Sequence, residues 1–224
     1  MGGSVAKAAG WAAGATLALW PLAAPASTVV YDYHIEHPRY GDIGTYSNVV
    51  KQVGDDAEID SELHVAVKLL GIVMFREDAK RVEQWKNNRL VAFTGVTVTN
   101  GTRIELTGRA QGDSFVISRQ DGTITAPARV HPSNPWAPMV LKTDLMMSTR
   151  TGNVDQVRVS GGDVDSVTFD GKPFRLHRYE IEGKARNFVW LDDGGVPVAF
   201  RTERNGTPID FVLSHPPQAE TSNR

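Results

Sequence analysis

Few residues in this chain combine the types and spacing that chemistry needs. The stretch "HIEH" places His34 and His37 three apart, a spacing that turns them to opposite faces of a strand, so a shared metal ion requires a bend at Pro38. Histidines exposed near a turn are the simpler account. Asp55 with Asp56 and Asp192 with Asp193 form acid pairs, but each lies beside glycine in a turn, where Asp is favoured because its side chain bonds neighbouring amides. Arg76, Arg89, Arg175 and Arg178 would bind an anion if folding gathered them on one face. Strand arginines more commonly lie along the wet side with their stems over apolar surface. The sequence contains no G-x-S-x-G, H-E-x-x-H, P-loop or G-x-G-x-x-G pattern. It also has no cysteine, which excludes disulfides, lipid attachment through an N-terminal cysteine and thiolate chemistry. No catalytic residue, metal ligand or cofactor follows from these residues.

One stretch stands apart: "HPSNPWAPMVLKTDLMM", residues 131–147, where prolines surround a tryptophan and an apolar run follows. Ser133 or Asn134 can cap a helix, Pro138 suits its first turn, and Leu141 and Leu145 lie one turn apart. The pattern predicts one short helix, about 137–148, after which Gly152 lets the chain re-enter a sheet. Such a segment is either a plug that closes the end of a β-structure or the wall of a ligand slot. In the second case Trp136, Met139, Leu141, Leu145, Met146 and Met147 line the slot, and the flexible thioethers adapt to varied apolar shapes.

The elements that must position this segment are strands. In "EIDSELHVAVKLL" the residues Ile59, Leu63, Val65, Val67 and Leu69 alternate with Asp60, Glu62, His64 and Lys68, the pattern of a strand with one wet face. Shorter alternating runs follow, most of them separated by turn pairs such as Asn100-Gly101, Gly112-Asp113 and Asn205-Gly206. The expected architecture is mostly β and antiparallel. An internal repeat supports it: Trp85 precedes "NGTRIEL" at the same spacing by which Trp190 precedes "NGTPIDF". Each copy reads as a three-stranded meander, with its tryptophan in the core and Asn-Gly as a hairpin turn. Residues 76–85, "REDAKRVEQW", favour helix by propensity, yet the matching segment before Trp190 is strand-like, so the repeat predicts a strand.

The N-terminus predicts the compartment. Lys7, the run "AAGWAAGATLALWPLAA" and then Ala24, Pro25 and Ala26 have the form of a signal peptide, residues 1–26, cleaved between Ala26 and Ser27. The apolar run is too short to span a bilayer and ends at Pro21. A periplasmic or secreted mature chain with no transmembrane span is expected, folding as a single β domain over 27–214 with a disordered tail at 215–224. Loss of Lys7 takes the formal net charge from −2 to −3, so nucleic acid is not an expected partner.

The succession "YDYHIEHPRYGDIGTYS", "VKLLGIVMFR", "W-x-x-x-R-L-V", "APARVHPSNPW" and "WLDDGGVPV" resembles a family of exported bacterial proteins classed as a domain of unknown function. The resemblance implies an open half-barrel, a curved antiparallel sheet similar to periplasmic lipoprotein carriers, with the short helix across its open side. It implies no catalytic or binding residues. Three functional readings follow. The first is a non-enzymatic binding or carrier protein for an apolar or lipid-like ligand. The second is an envelope assembly or scaffold protein that binds a partner protein through a sheet edge or patch. The third is an enzyme whose site is assembled from distant strands.

Overall fold

The computed structural model describes residues 26–134, 138–169, 171–204 and 206–220. Of the segment read as a signal peptide, residues 1–26, all but Ala26 lie outside them; so does Trp136, and Met139 is described in its backbone only.

Alternation of apolar and polar residues gives strands, and tight turns make their neighbours in sequence their neighbours in space. β1 (Ala26–His37), β2 (Gly41–Val53), β3 (Asp56–Leu69), β4 (Ile72–Lys86), β5 (Arg89–Thr99), β6 (Thr102–Gln111), β7 (Ser114–Arg119) and β8 (Gly122–Pro127) follow one another as antiparallel hairpins. A small separate sheet comes next, built from β9 (His131–Pro132), β10 (Leu145–Met147) and β11 (Val154–Gln156), with a 3-10 turn at Pro138–Lys142 between its first two strands. The chain then returns through β12 (Arg158–Phe169), β13 (Lys172–Glu182), β14 (Arg186–Leu191), β15 (Pro197–Arg204) and β16 (Thr207–Leu213). The large sheet is open and runs β12 to β16, then β1, then β2 to β8. β1 joins the halves, pairing with β2 along its length and with β16 through Tyr33 opposite Leu213. Within the segment read as a disordered tail, β17 (Gln218–Glu220) pairs with β1 through Val29 opposite Ala219.

Both halves of the sequence repeat are three-stranded meanders, β4 to β6 and β14 to β16, with Trp85 and Trp190 buried at the ends of their first strands. Asn100 and Gly101 turn with φ of 49° and 86°, the paired positive angles for which Asn-Gly is suited. Residues 76–85 lie in β4 and are strand despite their helix propensity, because β3 and β5 satisfy both backbone edges. The predicted helix at 137–148 does not form. Only the short 3-10 turn is present, and Leu145 and Met147 point the same way at strand spacing while β9 and β11 pair with β10 on either side. Thr143 enforces the break, since its hydroxyl donates to the Leu145 carbonyl (2.7 Å) and accepts from the Leu145 amide (3.1 Å).

Neighbouring residues of β10 face opposite cores. Met147 is fully buried with Phe93, Phe115 and Ile117 of β5 and β7, whereas Met146 packs against Ile181, Val189 and Leu191 of β13 and β14. Thirteen strands laid flat would span roughly 60 Å. One segment therefore reaches strands from both halves only because the sheet curls around it.

Candidate functional site

β4 supplies the inward groups that sequence reading missed. Its alternation places Glu77, Ala79, Arg81, Glu83 and Trp85 on the buried face and Arg76, Lys80 and Gln84 on the outer one. The signal was present in "REDAKRVEQW": once Trp85 is assigned to the core, every second residue before it must face inward too. Buried charges require partners. The Thr99 hydroxyl donates to Glu77 Oε2 (2.9 Å), Arg150 lies 3.3 Å from the same oxygen, and the Trp85 indole N–H donates to Glu83 Oε2 (3.0 Å).

Asn134 is the hub where the small sheet's segment meets the large sheet. Its Nδ2 lies 2.9 Å from Glu83 Oε1, 3.1 Å from Ser61 Oγ and 3.2 Å from Asn48 Oδ1, and its Oδ1 accepts from the Tyr46 hydroxyl at 2.7 Å. Ser61 donates to Asn48 Oδ1 at 2.6 Å. Asn134 thus bonds across to three strands instead of capping a helix. Burial pushes the Tyr46 phenol up to about 12, so it stays neutral and serves as a donor.

Beside this network lies a cavity of about 350 Å³. Leu63, Phe200 and Phe211 give it one apolar wall, Ile181 and Val189 a second, and Val140 and Met146 close it from the inserted segment. Phe200 and Phe211 stack with ring centroids 4.3 Å apart. At one side Glu77, Arg81, Arg150 and Arg201 bring charge to the lining. Arg201 is held by Asp210 through two hydrogen bonds (2.5 and 2.7 Å), and Arg81 Nε donates to the Thr149 carbonyl at 3.4 Å. The site is thus an apolar chamber with a polar, cation-rich side.

The six residues predicted to line a slot separate. Met146 reaches the cavity, Leu141 packs beside it against the Ile181 and Val189 core, and Leu145 and Met147 belong to the opposite core. Trp136 and the Met139 side chain lie outside the described residues. His34 and His37 do not converge: His34 Nδ1 lies 3.4 Å from the Ser214 hydroxyl, and His37 accepts from the Arg39 amide at 3.0 Å. Among the described residues no group of three or more His, Asp or Glu is placed to hold a metal ion. The four arginines do not gather either. Arg76 pairs with Asp78, Arg89 donates to the Gly112 carbonyl, Arg178 covers the Phe188 ring and Arg175 is exposed. Asp192 is the turn residue expected, accepting from the amides of Gly194 and Val196.

A family model described as a domain of unknown function, DUF6134, matches residues 39–214, most of the chain and every strand lining the cavity. The chain belongs to the DUF6134 family. No curated protein matches it. Among solved structures it is similar to the crystal structure of a β-barrel-like protein of another domain of unknown function, DUF1849, from Brucella abortus. The two share 10% sequence identity with a TM-score of 0.63, over 87% of this chain and 99% of that one. At that identity the likeness is one of fold.

Proposed function

We propose that this DUF6134 protein is an exported binding or carrier protein for an apolar, lipid-like ligand, held in a half-barrel similar to that of periplasmic lipoprotein carriers. The observation that carries the reading is the chamber of about 350 Å³ between the two halves of the curled sheet. Its volume is within the range of small-molecule sites, at the lower end. Walls of Phe, Leu, Ile, Val and Met suit an acyl chain, because they offer dispersion contacts and no hydrogen bonds. The arginines on one side suit an anionic head such as a carboxylate. The inserted segment, residues 131–157, acts as both plug and wall: Met147 anchors it in one core while Met146 faces the ligand.

Native mass spectrometry of protein recovered from the cell envelope, together with titration of a fluorescent fatty acid, tests this reading. A co-purified lipid-sized mass and saturable uptake of the probe are expected, with uptake reduced by Met146→Trp, which fills the chamber. No bound mass and no saturable uptake would end it.

A further inference from the structure

Among the described residues, three hairpins turn on two residues that both have positive φ: Leu70 and Gly71 (50° and 81°), Asn87 and Asn88 (49° and 58°), and Asn100 and Gly101 (49° and 86°). This left-handed backbone tolerates Asn, whose short side chain bonds locally, and penalises a bulky residue. Among the described residues every other non-glycine with positive φ is Asn; only Leu70 is apolar. Leu70 is also 95% exposed, so it gains no burial in exchange. Around it Leu69, Ile72, Val73 and Met74 are exposed as well. None of these five side chains is buried in the folded chain.

The tip is an overhang. Pairing of β2 with β3 stops at Gly44 opposite Val65, and pairing of β5 with β4 begins at Glu77 opposite Thr99. Beyond those points residues 66–76 pair only with each other, apart from a brace at Arg76, whose amide donates to the Asn100 side chain. Val67 still packs against the core around Tyr33, Ile43 and Leu63, so the ribbon stands clear from Lys68 to Leu70, roughly 10 Å. Leu69 and Ile72 pair on one face, Val73 shares the other with Lys68, and Met74 bulges between Val73 and Phe75, so apolar side chains stand on both faces of the ribbon end. Residues 66–76 include Lys68 and Arg76 and no acid.

We propose that the β3–β4 tip docks the protein on a lipid bilayer, placing Leu69, Leu70 and Ile72 in the acyl boundary and Val73 and Met74 at its edge, with Lys68 extending toward the phosphates and Arg76 further out. A protein groove reads one face of a ribbon, whereas a tip with apolar side chains on both faces and at its turn matches a medium that is apolar in every direction. Its reach from turn to Lys68, roughly 7 Å, matches the shallow depth of interfacial anchors. Long basic side chains at that depth keep their charge among head groups. This inference stands apart from the ligand chamber, and either can fail alone.

The test uses residues 26–224, which hold every described strand, and vesicles of phosphatidylethanolamine with a minor fraction of phosphatidylglycerol. The chain has no cysteine, so Leu70→Cys accepts a single environment-sensitive fluorophore. The wild type is expected to float with the vesicles, and the label to shift to the blue on mixing. In a Leu70→Asn, Val73→Thr variant the tip adopts the Asn-Gly chemistry of residues 100 and 101, so melting should not fall, uptake of the fatty-acid probe should stay, and vesicle partition should drop roughly tenfold or more. Equal partition of variant and wild type, or no partition of the wild type, overturns the proposal. So does lipid-free, concentration-dependent self-association that the variant abolishes, which would make a second copy of this chain the occupant of the tip.

Discussion

Asn134 shows how one residue ties an inserted segment to a sheet. Its amide meets Glu83, Ser61, Asn48 and Tyr46, all buried, so replacing it strands several polar groups at once. Asn134→Ala is expected to cost about 3 kcal/mol in chemical denaturation, the scale of a buried network left unsatisfied. His131 adds a pH dependence. Its ring packs against Trp85 with centroids 5.0 Å apart, and burial holds its pKa below the ordinary histidine value. The folded state then binds the proton more weakly than the unfolded chain. Stability from this group is complete while both states are neutral and is lost as pH falls through about 6.5, where the unfolded chain protonates first. Melting midpoints at neutral and mildly acidic pH should therefore separate less in His131→Phe than in the wild type.

At the scale of elements, β10 faces a core on one side and the chamber on the other across one peptide bond. Met147 is fully buried, so Met147→Ala should cost roughly 2–5 kcal/mol by cavity formation. Met146 lines the chamber and is partly buried, so Met146→Ala should cost clearly less and shift the fatty-acid titration instead. Equal stability losses for the two would contradict the opposed faces. The hairpin turns test separately: Gly101→Val puts a β-branched residue at φ of 86° and should lower the denaturation midpoint by an amount worth about 1–3 kcal/mol.

For the whole molecule, a ligand in the chamber would couple to stability, because the chamber takes its walls from β2, β3 and β4, from β13 to β16 and from the inserted segment. A ligand there holds both halves of the curled sheet together. At a free concentration about a hundredfold above Kd, binding to the native state alone adds about 2.7 kcal/mol. For a chain of this length that corresponds to a rise in Tm of roughly 5–10 °C, readable by calorimetry with a fatty acid. An unchanged Tm at saturating probe would mean that the probe does not enter this chamber.

The strands, their turns and the two tryptophan meanders were legible in the chain, because alternation and Asn-Gly pairs act between residues close in sequence. The repeat even overruled helix propensity at 76–85, since Trp85 and Trp190 had to play the same part. Local signals misled at 137–148, where leucines one helical turn apart also fit a strand once β9 and β11 offer backbone partners to Leu145 and Met147. The partners that meet Glu77 and Glu83 inside, the hub at Asn134 and the opposed directions of Met146 and Met147 were decided by tertiary structure alone. Local sequence can say that a residue alternates. What an inward face meets depends on a sheet that curls until its two halves meet the same inserted segment, and that contact joins residues far apart in the chain.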